Sequence, residues 1–180
     1  MATVREGSKG ALVVVDVQVG VMDSAWEADR VVANVARAVD RARAAGVPVL
    51  WVQHTDDELV AETPAWQWVP ELVPAESEAR VHKEYNSSFE RTSLEDELDR
   101  LGVSHLVLAG AATNWCIRAT AYAALERGYD LTLVEDAHTT SSDEAAAVVD
   151  DLNTVMQWVS YADVSTTTAK AAELDFTTFR

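Results

Sequence analysis

Four short apolar runs constrain this chain more than any other feature: Ala11–Val17 (ALVVVDV), Val47–Gln53 (VPVLWVQ), Leu106–Ala109 (LVLA) and Leu131–Val134 (LTLV). They lack the steady apolar–polar alternation of a strand with one wet face, so both faces must be covered by other elements. Longer segments with helical spacing separate them. Ala25–Ala45 carries Val31, Val32, Val35, Ala38, Val39 and Ala42 at that spacing, and Thr92–Leu101, Asn114–Arg127 and Asp143–Trp158 are three further amphipathic candidates. Strands alternating with helices predict an α/β doubly wound domain built on a parallel sheet. Two weaker strand candidates, Arg80–His82 and Asp163–Ser165, bring the predicted sheet to six.

The punctuation agrees with that reading. Gly46, Gly102 and Gly128 each stand between a helical pattern and a strand, where a helix ending in a left-handed residue favours glycine. Thr92 with Glu95, and Ser141 with Glu144, have the spacing of a capping box. Thr55–Arg80 holds three of the four prolines together with Trp66 and Trp68, and it reads as a long excursion beyond the second strand. Such loops in compact domains are often functional; a packing flap or a subunit contact is the other reading. No repeat or composition break divides the 180 residues, so a single domain over 1–180 is expected.

Charge narrows the function. Thirty acidic residues against fourteen basic ones give a formal net charge of −16, the wrong sign for a binder of nucleic acid or of an anionic membrane surface. One cysteine excludes an internal disulfide framework and a four-cysteine zinc site, and it suits a reducing compartment. MATVREGSKG lacks the apolar stretch of a signal peptide, and Ala11–Val15 falls far short of the roughly 20 residues of a membrane span. The expectation is a cytoplasmic protein whose partner is a small molecule, without nucleic acid or membrane.

In doubly wound sheets, ligands bind beyond the carboxyl ends of the strands, near the point where strand order reverses. Chemical residues should therefore follow strands. Asp16 ends the first run; burial there raises the pKa of a carboxylate and suits it to accept a proton, although an Asp that only binds a following loop is an open alternative. Cys116 follows the fourth strand where a helix pattern begins, and the helix dipole there favours a thiolate. A small buried hydrophobe is the other reading of such a cysteine. Lys83 follows the weak third strand and stands out among only three lysines, since Lys9 and Lys170 lie near the ends. A buried ammonium would lower the pKa of a thiol and hold a carboxylate ionised, whereas a surface lysine would do neither. Gln18 extends from the same strand end as Asp16, either orienting the site or capping the sheet. His138 follows the fifth strand, Trp26 and Trp115 lie near strand ends as an aromatic wall for a planar substrate, and His105 reads as structural.

The order and spacing of these residues resemble the isochorismatase-like cysteine hydrolases. Asp16-Val17-Gln18 is similar to that family's strand-end Asp-x-Gln; Lys83 followed by Ser88-Phe89 and Thr92-Ser93-Leu94 is similar to its Lys…Ser/Ala-Phe…Thr-x-Leu block; and Gly110 to Cys116 (GAATNWC) resembles its Gly-x-x-Thr-x-x-Cys signature. The similarity runs from about residue 10 to about residue 165. It implies a three-layer α-β-α, Rossmann-like fold with a six-stranded parallel sheet. It also implies Asp16 as proton acceptor, Lys83 as its ion-pairing partner and Cys116 as nucleophile. A cis peptide at Ala111–Ala112 is implied too, turning the Ala112 N–H toward that of Cys116 as an oxyanion hole. Gln18, Trp26, Phe89, Trp115 and His138 are the residues expected to meet substrate.

One departure bears on the substrate. Nicotinamidases of this superfamily hold a metal through an Asp-x-His…His arrangement after the second strand, whereas Val52–Glu58 here reads VQHTDDE, with no second histidine before His82. A metal needs several converging ligands, so His54 reads as part of a solvated loop, and no metal, no cofactor and no nicotinamide are expected. The predicted activity is metal-independent hydrolysis of a C–N bond in an amide, ureido, carbamoyl or cyclic amide through a Cys116 thioester. Two alternatives stand beside it: vinyl-ether hydrolysis of the isochorismatase type, and a catalytically idle binding scaffold, against which the intact Asp16, Lys83 and Cys116 argue. A nucleotide- or flavin-binding domain lacks its Gly-rich motifs, and no Gly-x-Ser-x-Gly marks a serine hydrolase. The resemblance further implies a homodimer or homotetramer.

Overall fold

Six strands, β1 (Lys9–Val15), β2 (Val49–His54), β3 (Ala79–Lys83), β4 (Val103–Ala111), β5 (Asp130–Thr139) and β6 (Thr166–Ala169), form a single sheet in the order β3-β2-β1-β4-β5-β6, and every neighbouring pair is parallel. The computed structural model describes residues 5 and 7–178, so half of the N-terminal stretch read for a leader signal, residues 1–4 and 6, lies outside the described residues. The expected six-stranded architecture is present, with the weak strand predicted at Arg80–His82 inside β3 and the other displaced from Asp163–Ser165.

The reason the strands are apolar without alternation is visible in β1. Ala11, Val13 and Val15 enter one core with Leu98 of α3 (Leu94–Leu101), Ala121 and Leu125 of α4 (Arg118–Glu126), and Leu152 and Met156 of α5 (Ala145–Trp158). Leu12 and Val14 point the other way, into a core with Val31, Val35 and Val39 of α2 (Ala28–Ala44) and the C-terminal Leu174 and Phe176. Each fully buried Val or Leu contributes about 1.5–3 kcal/mol, and a polar residue at either set of positions would forfeit it. Gly46, Gly102 and Gly128 take φ of 72°, 70° and 83° between helix and strand, as their placement predicts.

Boundaries differ from expectation for local reasons. β1 stops at Val15 because Asp16 turns out of the ladder at φ 51°. β2 starts at Val49 because Pro48 has no N–H to give a neighbour. The last strand lies three residues beyond its predicted place: Asp163 has φ 65° inside a turn closed by a Tyr161–Val164 bridge. Neither capping box forms. Thr92 Oγ1 donates to Ser88 O and accepts from Leu94 N, Ser142 Oγ accepts from Glu144 N, and both helices begin after those residues. A short helix, α1 (Val19–Met22), was not anticipated.

Residues between β2 and β3 form neither helix nor strand, and the excursion is pinned by its tryptophans. Trp66 stacks on His82 at 5.5 Å and donates from Nε1 to Thr55 Oγ1, while Trp68 meets Trp51 edge-on at 5.3 Å. No helix among the described residues is long and apolar enough to cross a membrane.

Candidate active site

The strand order reverses between β1 and β4, and both strands end at the same edge of the sheet. They approach so closely that a Cβ on Gly110, at φ 128°, would stand 2.0 Å from Val15 O. The Ala111–Ala112 peptide that follows is cis. The chain then makes a π-helical turn, Thr113–Ile117, in which Trp115 N–H and Ile117 N–H both donate to Ala112 O. Single π turns recur at functional sites because they shift one residue out of helical register; here that turn carries Cys116.

Three side chains from three strand ends meet at this edge. Lys83, the last residue of β3, reaches across the end of β2, and its Nζ stands 2.7 Å from Asp16 Oδ2 and donates to Cys116 Sγ at 3.1 Å. It also donates to Tyr85 O at 3.2 Å and lies 3.2 Å from His54 Nδ1. Asp16 and Lys83 are each only 2% exposed and Cys116 only 8%, so the ion pair and thiol are largely screened from water. Asp16 Oδ1 is buried without a hydrogen-bond partner. Asp16 holds φ 51°, a conformation that costs a non-glycine residue about 1 kcal/mol or more and aims its side chain across the sheet edge.

Burial raises the Asp16 pKa above the ordinary carboxylate range, opposed by the Lys83 charge. The Cys116 thiol is pushed up to about 12 by burial and by the Asp16 charge, with Lys83 pulling the other way. This departs from the thiolate expected at a helix terminus. Dehydration and an adjacent carboxylate outweigh the partial charge of one irregular turn. The resting sulfur is a thiol held on an ammonium.

The remaining expected residues divide. Trp115 is 59% exposed beside Cys116, and Trp26 is half-buried, its backbone N–H donating to Thr140 O just past β5 and its ring lying 5.4 Å from the Arg30 guanidinium. Three expected substrate contacts are corrected. Gln18 is fully buried with its amide committed to backbone: Nε2 donates to His54 O and Trp66 O, and Oε1 accepts from His54 N. Phe89 is a core residue, 5.8 Å from the Tyr129 ring and beneath Arg127. His138 is wholly buried; Nε2 donates to Asn153 Oδ1 and Nδ1 pairs with Thr113 Oγ1, and burial lowers its pKa to about 4. A neutral imidazole with both nitrogens engaged has nothing left for a ligand.

His54 is the residue that sequence reasoning misplaced. It ends β2 and faces Lys83 rather than solvent, and the strand-end rule that selected Asp16 would have selected it as well. Asn86, whose Oδ1 is 4.0 Å from Cys116 Sγ, follows β3 by three residues and was not singled out by the sequence. A cavity of about 370 Å³ opens beside Lys83, walled by Thr55, His82, Tyr85, Glu90 and Arg91. Among the described residues, no three His, Cys, Asp or Glu side chains converge as a metal-holding group.

Residues 10–176 match the family model described as the isochorismatase domain. The chain belongs to the isochorismatase family. A streptothricin hydrolase from Streptomyces noursei is 36% identical over 148 residues, covering 78% of this chain and 58% of that protein, so the chain spans little more than half the length of this relative. A ureidoacrylate amidohydrolase from Methylobacterium radiotolerans is 30% identical, covering 83% of this chain and 75% of the relative. Among solved structures, an isochorismatase from Pseudomonas putida KT2440 superimposes with a TM-score of 0.80 at 28% identity, covering 94% of this chain and 92% of that one. N-carbamoylsarcosine amidase from Thermoplasma acidophilum shares the fold, with a TM-score of 0.77 at 23% identity and coverage of 93% and 99%.

Proposed function

We propose that this isochorismatase-family chain is a metal-independent cysteine hydrolase that cleaves a C–N bond of a small amide, ureido, carbamoyl or cyclic amide compound through a Cys116 thioester. One observation carries the reading: a buried ammonium, Lys83 Nζ, touches both the Asp16 carboxylate at 2.7 Å and the Cys116 sulfur at 3.1 Å. The named activities of the streptothricin hydrolase and ureidoacrylate amidohydrolase relatives support hydrolysis.

The proposed steps follow from the protonation states. With the thiol near 12, only about one molecule in 10⁵ carries a thiolate at pH 7, a cost of about 7 kcal/mol. Proton transfer to Asp16 during attack avoids that cost, because the carboxylate receives the proton as the S–C bond forms. The oxyanion rests on the Ala112 and Cys116 N–H groups; two such donors are each worth about 10²–10³ in rate. Protonated Asp16 then gives its proton to the leaving nitrogen, which departs as ammonia or an amine. Water attacks the thioester, Asp16 takes its proton, and the sulfur leaves protonated as the acid is released. Lys83 stays an ammonium throughout, opposing the negative charge that moves between oxygen and sulfur.

A vinyl-ether substrate is a second reading, favoured by the likeness to the Pseudomonas putida isochorismatase. A panel of amides, carbamoyl amines, ureido acids, cyclic amides and a vinyl ether, assayed for amine and acid release, separates the two. Wild type should release amine and form an acyl adduct on Cys116 detectable by mass spectrometry; Cys116→Ser should not. Full turnover by Cys116→Ser would end the covalent scheme. The chain is further proposed to act as a homodimer or homotetramer, which light scattering in solution measures.

A further inference from the structure

We infer that His54, with Asp56 behind it, is a positioning residue that holds the Lys83 ammonium between Asp16 and Cys116; the inference rests on the cysteine-hydrolase reading above. The sheet order makes such a residue necessary. Lys83 ends β3 while Asp16 follows β1, so the lysine side chain must cross the end of β2, where His54 is its neighbour in register. The imidazole Nδ1 lies 3.2 Å from Lys83 Nζ at that crossing.

The chemistry of the neighbours assigns the ring's proton. Asp56 Oδ1 accepts from Glu58 N at 2.9 Å and Leu59 N at 2.6 Å, and these donors hold its pKa below the ordinary carboxylate range. Asp56 is therefore an acceptor only, and its Oδ2, 3.1 Å from His54 Nε2, requires a hydrogen on that nitrogen. That leaves Nδ1 with its lone pair facing a group that can only donate. Asp56 thus selects the one tautomer able to receive Lys83. Gln18, buried and bonded to both the N–H and the carbonyl of His54, fixes the backbone from which the ring projects.

The reaction cycle gives this acceptor its use. In the resting site four acceptors surround the three Lys83 hydrogens: Asp16 Oδ2, Cys116 Sγ, Tyr85 O and His54 Nδ1. In each tetrahedral intermediate Asp16 holds the transferred proton and the sulfur is bonded to carbon, so neither offers the ammonium a negative charge. The two neutral acceptors, His54 and Tyr85 O, keep it in place through those stages of both half-reactions. A doubly protonated ring would instead point an N–H at the ammonium and expel it. The charged groups facing His54 are Lys83 from β3, Asp16 beyond β1 and Asp56 in its own following turn.

The test uses iodoacetamide on Cys116 of the full chain, so it needs no substrate. Asp56→Asn can keep an oxygen for Glu58 and Leu59 N–H while turning an NH₂ toward His54 Nε2; that forces the hydrogen onto Nδ1, against Lys83. We expect alkylation of Asp56→Asn and His54→Leu at pH 8 to slow about tenfold, with the line of log rate against pH between pH 7 and 9 displaced upward by about one pH unit. His54→Asn, whose side-chain oxygen can stand where Nδ1 was, should recover most of the rate. Thermal unfolding establishes that each variant is folded, and Asp56→Asn, isosteric with the native residue, carries the test if His54→Leu does not fold. Alkylation of Asp56→Asn at the wild-type rate, with an undisplaced rate line from pH 7 to 9, overturns the inference. Turnover by Cys116→Ser would sink the parent reading instead, and the alkylation result for His54 would stand apart from it.

Discussion

Replacing Lys83 by methionine should convert a stable ion pair into a lone buried carboxylate, and the structure sets the size of the effect. Methionine matches the lysine stem, so packing changes little, but Asp16 at 2% exposure loses its 2.7 Å partner while its Oδ1 already lacks one. A lone carboxylate in that setting takes up a proton rather than remaining charged. Its folded pKa, already raised by burial in the wild type, then rises further above its unfolded value of about 3.9. For such a group, stability is intact below the unfolded pKa and falls as pH rises through the interval between the two values. Holding Asp16 protonated costs about 1.4 kcal/mol per pH unit above 3.9, so the deficit relative to wild type, where burial already imposes part of it, is at most about 1.5 kcal/mol at pH 5 and about 4 kcal/mol at pH 7. The latter agrees with the about 3–5 kcal/mol typical of breaking a buried pair from one side. Urea unfolding of wild type and Lys83→Met at pH 5, 6 and 7 reads the difference, and adding Asp16→Asn to the variant should abolish its pH dependence. A deficit equal at pH 5 and pH 7, or one surviving Asp16→Asn, would refute the reasoning.

Two further outcomes bear on the frame around the site. Gly110→Ala places a Cβ 2.0 Å from Val15 O on a φ of 128°, and since both neighbours are backbone the loss should exceed about 3 kcal/mol by calorimetry; a change below 1 kcal/mol would show that β1 and β4 can part there. His138, with a pKa lowered to about 4 from 6.5, stays neutral when folded, so stability falls as pH drops below 6.5 and about 3 kcal/mol is lost by pH 4. His138→Gln should flatten that part of the urea-midpoint profile, and an unchanged slope would place the acid sensitivity elsewhere.

Helix order and a parallel sheet covered on both faces were legible in the chain because they depend on local patterns: apolar runs too uniform for a wet face, and glycines where helices end; the order of the strands, and so where it reverses, was not, because it depends on pairing between distant segments. Asp16, Lys83 and Cys116 were legible through the rule that chemistry follows strands and through motifs that set them in order. His54 satisfied the same rule, yet its neighbours Asp56, Asp57 and Glu58 read as a solvated acidic turn, and only the crossing of Lys83 over β2 gives that histidine its partner. Phe89, Gln18 and His138 failed as substrate contacts because a strand-end or motif position says where a residue begins, whereas rotamer and packing decide where it ends.

Sequence alone determined the layers and the side-chain types at the sheet edge, since both follow from hydrophobic spacing and residue chemistry along a short stretch of chain. Tertiary structure decided the protonation states. The thiol near 12 arises from dehydration and from charges brought together across 33 to 100 residues of chain, and the ammonium that faces His54 reaches it across 29. Electric fields at 3 Å depend on distances that no local pattern encodes.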